Sequence, residues 1–197
     1  MAPTVTALRV KPDGRVAVAL DGEQWRVLPA DAVVRTGLRK GDALDRERAR
    51  TLARELRRAD ALAEAARVLR HRDLSARGLA ARLDRRGIAP QARDQALETL
   101  TRTRLVDDER FAHGRARSLA ERNLGDAAIR HDLEQQGIAP ELIEEACAGL
   151  LPEPERAERV VARRGSSAAT ARYLARHGFD EDVVERVFAR GQPAELG

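Results

Sequence analysis

The residues in this sequence best suited to bind a ligand are arginines that lie close together between positions 67 and 86. An arginine guanidinium donates two parallel hydrogen bonds to a phosphate or a carboxylate, so a group of arginines suits a polyanion. If the segment 76–86 is helical, its apolar residues occupy one face and its arginines the opposite face. We therefore expect DNA or a partner protein to contact Arg67, Arg70, Arg72, Arg77, Arg82, Arg85 and Arg86.

An ordinary solvated helix face in an arginine-rich protein explains the same pattern equally well. The chain has 36 basic residues, of which only Lys11 and Lys40 are lysines, and a genomic bias towards arginine accounts for most of that ratio. The net charge of +4 is modest, but residues 51–90 carry 10 basic and 5 acidic groups, whereas residues 91–150 carry 8 and 12. This asymmetry favours a polyanion-facing surface at one end and a different partner elsewhere. No aromatic residues are interleaved with the arginines, so base stacking is poorly supported.

No motif in the sequence indicates catalysis or a bound metal. The histidines lack the paired spacing of a metal site, and P-loop, His-Glu-x-x-His and Gly-x-Ser-x-Gly motifs are absent. Cys147 falls on an apolar helix face, which favours a small core residue over a nucleophile. The acidic runs at 107–109 and 180–182 lie where helices should begin, so we interpret them as caps rather than metal ligands. We therefore predict a protein that is not an enzyme and uses no cofactor or metal ion.

The segment from Gly37 to Gly41 is a weaker candidate for a ligand site. It encloses Arg39 and Lys40, and glycines around basic residues can cradle a phosphate. The spacing of a P-loop does not follow, so a plain turn is the favoured interpretation.

An internal repeat must position these residues. Its copies place Gly87, Gly137 and Gly178 at equivalent positions, each four residues after a leucine. Glycine at this point predicts a left-handed turn that ends a helix. A proline three residues after each of the first two glycines predicts the start of the next helix. We predict an elongated array of three-helix repeats at 59–106, 107–151 and 152–191, followed by a tail at 192–197.

Four polar residues are predicted to cap helices within the repeats. A capping side chain accepts hydrogen bonds from the free N–H groups of the first helical turn. The residues that stand just before apolar helical runs are Ser75, Asp107, Asp126 and Asp180.

The N-terminal segment, residues 1–44, is predicted to form a three-stranded antiparallel β-meander. Asp13-Gly14 and Asp21-Gly22 lie between alternating apolar residues, which is the strongest short-range signal for a hairpin. A linker helix at 45–58 should then lead into the first repeat. With the helical repeats, this makes the predicted fold class mainly α. The residues expected to cover the sheet are Ala32, Val33, Val34, Leu38 and Leu44.

The composition also indicates the cellular compartment of the protein. One cysteine permits no disulfide within the chain, which fits a reducing compartment. No long apolar run and no apolar signal-peptide core occur, so we expect a cytoplasmic protein without a membrane segment. We also expect a monomer.

Together these motifs resemble the RecX family, whose members regulate the bacterial recombinase RecA. The resemblance covers about residues 57–190, and its motifs occur in the order and spacing of the family. The third repeat departs by carrying Gly178-Phe179-Asp180 in place of Gly-Ile-Ala-Pro, as expected of a terminal repeat. The motifs are Leu-x-x-x-Gly-Ile at Leu83 to Ile88 and Leu133 to Ile138, Asp107-Asp108-x-x-Phe111-Ala112, and Tyr173-Leu174-x-x-x-Gly178-Phe179.

The resemblance implies three tandem three-helix repeats that bind the RecA–DNA filament along its helical groove. It implies inhibition of the ATPase, strand-exchange and coprotease activities of RecA, which would tune recombinational repair and the SOS response. The partners would be the RecA filament and single- or double-stranded DNA, and no catalytic residue is implied. The alternative is a stand-alone helix-turn-helix-type DNA-binding protein, which would need base-reading Asn, Gln and Arg side chains on one helix. Of these, only arginine is plentiful here.

Overall fold

The computed structural model describes residues 1–190 and consists mainly of helices with one small sheet. The helices α2 to α10 defined below form three sets of three, so the predicted mainly α fold class is confirmed. The tail predicted at 192–197 lies outside the described residues. The elements are β1 (Val5–Val10), β2 (Arg15–Leu20), β3 (Glu23–Pro29), α1 (Ala30–Thr36), α2 (Arg46–Leu69), α3 (Ala76–Arg85), α4 (Pro90–Arg102), α5 (Asp108–Glu121), α6 (Asp126–Gln135), α7 (Pro140–Ala148), α8 (Glu153–Arg164), α9 (Ala168–Arg176) and α10 (Glu181–Arg190).

The three strands form an antiparallel meander in the order β1-β2-β3, with the two Asp-Gly pairs at its hairpins as predicted. A sheet of three short strands needs another element packed against its apolar face. Here Val5 and Val18 of that face pack in one core with Leu52 of α2. Four of the five residues expected to cover the sheet are buried, but Val34 is 76% exposed. The prediction for Val34 is wrong. Neighbouring side chains of a helix point in directions about 100° apart, so Val34 is exposed although the adjacent Val33 is buried.

The longest helix, α2, runs unbroken through residues 58 and 59, where the sequence placed the boundary between a linker helix and the first repeat. No glycine or proline interrupts its 24 residues, so its backbone hydrogen bonding continues. Arg58 is buried within it and donates hydrogen bonds to Asp31 of α1 and Thr99 of α4. This one side chain therefore ties α1 and α4 to α2.

The chain divides into two compact units, residues 1–72 with 79–105, and residues 73–78 with those from 106 onward. In the first unit, α2 packs with α1 and α4. In the second, α5 packs with α6 and α7, and α8 packs with α9 and α10. The second unit also contains the N-terminal end of α3, because residues 73–78 make their contacts there.

The repeated glycines end the middle helix of each set, as predicted. Gly87, Gly137 and Gly178 have φ angles of +73°, +76° and +78°. The residue after each glycine donates its N–H to the carbonyl oxygen of the repeated leucine at 83, 133 or 174, at 3.1 to 3.2 Å. This is the hydrogen-bond pattern of a left-handed helix end, which glycine adopts without steric cost.

The N-terminal end of α3 is capped from within its own turn and from later in the chain. Ser75 Oγ accepts the N–H of Gly78 at 3.0 Å, which confirms it as a cap, and donates to the carbonyl oxygen of Gln136 at 2.7 Å. The Asp108 carboxylate at the start of α5 accepts the N–H of Ala76 at 2.7 Å. The free N–H groups at a helix start need acceptors and favour negative charge, so these contacts hold the first turn of α3 to the second repeat.

The same arrangement recurs at α6. Glu153, at the start of α8, accepts the N–H of Asp126 at 2.7 Å. The carbonyl oxygens of His177 and Gly178 accept the N–H groups of Gly125 and Ala127 at 2.8 and 3.2 Å. A carboxylate and a glycine turn from the third repeat therefore cap the middle helix of the second.

Two further predicted caps are confirmed, at the starts of α5 and α10. Asp107 accepts the N–H of Arg110 at 3.0 Å. Asp180 accepts the N–H of Asp182 at 2.9 Å. In both cases the acidic run has a structural role, in agreement with its interpretation as a cap.

The prediction that Asp126 caps α6 is wrong. Gly125 precedes the helix, and Asp126 is its first residue. The Asp126 carboxylate instead forms an ion pair with Arg156. A Cβ atom at position 125 would lie 2.2 Å from the carbonyl oxygen of Gly178, so the capping position has no room for a side chain. Glu153 of the next repeat supplies the acceptor instead.

The three turn glycines are expected to differ in their tolerance of a side chain. An added Cβ meets nothing within 4 Å at Gly87, but would lie 2.3 Å from Cδ of Arg77 at Gly137, and 2.6 Å from the backbone nitrogen of Ala128 at Gly178. Gly87→Ala should cost only the left-handed strain, about 1–2 kcal/mol of unfolding free energy. Gly137→Ala should cost more and Gly178→Ala the most, because backbone cannot move aside as a side chain can. Urea unfolding of the three variants tests this order, and equal losses would contradict it.

The capping role of Glu153 can be separated from its charge. Burial raises the pKa of its carboxyl group, so the charged form is costly there. Glu153→Ala should lower the free energy of unfolding by about 1–2 kcal/mol, since the start of α6 loses its acceptor. Glu153→Gln should lose less, because it keeps one acceptor oxygen and removes the buried charge. Thermal unfolding is the measurement. The exposed Glu155 in the same helical turn is the control, and an equal loss in Glu155→Ala would rule out a specific cap.

Candidate nucleic-acid interface

Two of the seven predicted arginines are paired with a buried acid of α2. Glu64 is only 9% exposed. Its carboxylate forms an ion pair with Arg67 of the same helix, and its Oε1 lies 3.4 Å from Nε of Arg86. Part of the positive charge of Arg67 and Arg86 is therefore neutralised within the protein, which makes both weaker ligands for phosphate.

The remaining predicted arginines of the first unit differ in exposure. Arg70, Arg72 and Arg85 are exposed and form no ion pair with any described residue. Arg82 is partly buried, and its Nε has no hydrogen-bond partner among the described residues. Arg82 is thus less free than its place on a helical wheel predicts, because the wheel places the Cβ atom and not the end of a long side chain.

Arg77 belongs to the second unit and has a packing role. The structure places its stem over the turn at Gly137, where an added Cβ would lie 2.9 Å from Cβ of Arg77. Arg77 is exposed, but its stem also packs on this turn. Its contact is with the glycine turn of the second repeat, close to the Ser75 cap.

Sequence reasoning missed a row of arginines on α2, here named the α2 stripe: Arg46, Arg50, Arg54 and Arg57. The spacing of i, i+4, i+8 and i+11 puts the four on one side of a helix. All four are exposed, and none forms an ion pair with a described acid. Arg54 donates to the Thr51 hydroxyl at 3.3 Å, and this acceptor is uncharged. The predicted linker helix at 45–58 already contains all four arginines, but only the structure shows that their neighbours are paired with acids and they are not.

The other arginines near this part of α2 are paired with acids. Arg48 lies 2.6 Å from Asp42, and Arg35 lies 2.8 Å from Glu55. Arg58 is buried and pairs with the exposed Asp31. The α2 stripe therefore keeps its full positive charge while its neighbours do not. Such a row can bind successive phosphates of a nucleic-acid strand, and that contact carries no sequence information.

Most backbone donors of the loop between Gly37 and Gly41 are occupied. The N–H of Arg39 donates to the Asp42 carboxylate at 2.8 Å, and the N–H of Gly41 donates to the carbonyl oxygen of Val5 at 2.8 Å. The Arg39 N–H, together with the Arg48 guanidinium, lowers the pKa of the Asp42 carboxyl group. The segment is an ordinary turn, as favoured from the sequence.

Within residues 1–190 no group of histidine, cysteine and acidic side chains is arranged to hold a metal ion. Cys147 is 8% exposed in the apolar core of the α5–α7 set, which confirms it as a core residue. Burial raises the pKa of its thiol, so the thiolate is disfavoured. In the same part of the chain no helix combines the length and apolar character needed to cross a membrane.

Comparison with known proteins gives relatives for most of the chain. Residues 107–146 match the family model of the second three-helix domain of RecX. The regulatory protein RecX of Chromohalobacter salexigens is 35% identical over 135 residues, which span 64% of this chain and 89% of the relative. The regulatory protein RecX of Halorhodospira halophila is 34% identical over 135 residues, which span 64% of this chain and 84% of the relative.

The solved structures agree in fold. A crystal structure of regulatory protein RecX superposes with a TM-score of 0.83 at 21% identity, over 94% of this chain and 98% of that one. That match covers the N-terminal sheet as well as the helical sets, whereas the family model covers only part of the second set. With the extent and identity of the two curated relatives, these findings lead to one conclusion: the chain belongs to the RecX family.

Proposed function

We propose that this protein modulates RecA by binding the RecA–DNA filament and lowering its ATPase, strand-exchange and coprotease activities. It would thereby tune recombinational repair and the SOS response. Membership of the RecX family supports this function, and the curated relatives are named regulatory proteins. In this proposal the protein acts in the cytoplasm as a monomer, by binding and without catalysis or a cofactor.

The observation that carries the DNA-binding part of the proposal is the unneutralised α2 stripe. From Arg46 to Arg57 the helix rises about 16 Å, at about 1.5 Å per residue. A strand of nucleic acid offers several phosphates over such a length, and each phosphate accepts two hydrogen bonds from an arginine fork. Because phosphate contacts do not depend on sequence, this surface suits a protein that must act anywhere along a filament.

The first test is the ATPase activity of RecA on single-stranded DNA, with and without this protein. The proposal predicts a dose-dependent fall in ATP hydrolysis at concentrations of protein below those of DNA sites. An unchanged ATPase rate, together with tight binding to DNA in the absence of RecA, would contradict it. That outcome would instead support the stand-alone helix-turn-helix alternative.

The second test asks which arginines contact phosphate. Changing Arg46, Arg50 and Arg57 to Ala should weaken binding to oligothymidylate and flatten the plot of log affinity against log salt by about 2 units. These side chains are exposed, so the free energy of unfolding should change by no more than about 0.5 kcal/mol per residue. The measurement is fluorescence anisotropy with labelled DNA over a salt series.

Two matched variants accompany that measurement. One changes Arg70, Arg72 and Arg85, the exposed members of the predicted set, to Ala. The other changes Arg172 and Arg176, two exposed arginines of α9, to Ala as a control for loss of net charge. If all three variants keep the wild-type slope, both arginine groups are only solvated surface and DNA is bound elsewhere.

A further inference from the structure

A pocket of about 590 Å³ opens in the second unit between α5, α8 and the loop that joins α7 to α8. Volumes in this range are typical of sites that enclose a small ligand or a few side chains. Its charged lining consists of Arg117, Glu121, Arg156, Arg159 and Arg163. Four arginines against one acid make it a basic site, although residues 91–150 carry more acidic than basic groups.

Arg156 gives the pocket a fixed shape. It is 7% exposed, and its guanidinium forms an ion pair with Asp126. The same group donates to the carbonyl oxygen of Leu151 at 2.9 Å and to that of Leu124 at 2.7 Å. The loop after α7, the turn before α6 and the first turns of α8 therefore meet at one buried cation. A pocket built in this way exists before any ligand arrives.

The other three arginines have positive charge to offer a ligand. Arg117 and Arg159 are exposed, and neither forms an ion pair with a described acid. Arg163 donates only to uncharged oxygens, the Asn123 side chain at 2.7 Å and the carbonyl group of Arg159 at 3.2 Å. Guanidinium groups around a concave surface favour carboxylates or phosphates, because their forks match both.

The apolar part of the lining distinguishes between these two anions. It is formed by Ala120, Leu150, Leu151 and Ala162, and no aromatic ring contributes to it. Single-stranded nucleic acid binds through bases stacked on aromatic side chains as well as through phosphates, and this pocket has no such platform. Leucine side chains instead suit the aliphatic side chain of a peptide.

We propose that this pocket binds an acidic segment of a partner protein, in which carboxylates flank an aliphatic side chain. The carboxylates pair with Arg117, Arg159 and Arg163, and the aliphatic group packs against Leu150 and Leu151. The site is separate from the α2 stripe in composition and ligand. It goes beyond the proposed function, because it holds whichever protein supplies the segment.

The experiment uses the full chain and a fluorescein-labelled peptide, Gly-Ser-Glu-Leu-Glu-Asp-Leu-Glu-Ser-Gly, in an anisotropy titration. Combined Arg117→Gln and Arg159→Gln should weaken binding by about tenfold or more, because two charge-assisted hydrogen bonds are lost. Combined Arg172→Gln and Arg176→Gln removes the same charge outside the pocket and should leave the affinity unchanged. A peptide with Gln and Asn for its acids, and one with Ser for each Leu, should both bind more weakly than the parent.

Several outcomes would overturn the proposal. The wild type could fail to bind the acidic peptide, or the two double variants could bind it equally. Oligothymidylate could lose affinity for the Arg117/Arg159 variant while the peptide does not, which would make the pocket a nucleic-acid site. Matching thermal unfolding curves for both double variants establish that any difference comes from the pocket and not from the fold.

Discussion

The start of a helix exposes N–H groups that need acceptors, and this protein meets that need from the next repeat along the chain. Asp108 accepts from the first turn of α3 at 2.7 Å, and Glu153 accepts from the first residue of α6 at 2.7 Å. At α6 the turn at Gly178 supplies carbonyl oxygens to the helix start as well, whereas at α3 the carbonyl oxygen of Gln136 accepts the Ser75 hydroxyl. Capping therefore links the first turn of α3 and the start of α6 to the repeat that follows. Because a carboxylate is the acceptor at both places, each such bond is stronger than one to a neutral acceptor.

The capping of α6 by the third repeat also explains the glycine at position 125 and the ion pair of Asp126. A glycine is required at 125 because the Gly178 turn comes within 2.2 Å of where a Cβ would lie, although the φ angle of Gly125 is an ordinary −78°. Asp126 cannot serve as the cap, and its carboxylate pairs with the buried Arg156 instead. The buried cation and the Glu153 carboxylate thus lie beside the same helix start. Arg156 in turn lines the basic pocket next to α8.

The two units carry different kinds of positive surface. The α2 stripe is a straight, open row on a helix whose other arginines pair with Asp42, Asp31 and Glu64. The pocket of the second unit is concave and partly apolar, and three of its arginines face uncharged partners or none. An open row suits the regular phosphates of nucleic acid, whereas a concave apolar site suits side chains of a protein. The proposed regulator of a protein–DNA filament would use both.

By itself, the sequence determined the three strands, the three helical sets and the glycine turns at 87, 137 and 178, but not α1 or the full extent of α2, because periodicity and helix-ending glycines act over a few residues. It also determined that Cys147 is a core residue, since that depends only on its helix face. Tertiary structure alone decided which arginines are free. Arg86 meets Glu64, and Arg77 covers Gly137, through contacts between residues far apart in the chain, whereas Arg67 pairs with Glu64 only three residues away. The acceptors that Asp108 and Glu153 supply to the starts of α3 and α6 were beyond sequence reasoning because they lie 32 and 27 residues away from the groups that they satisfy.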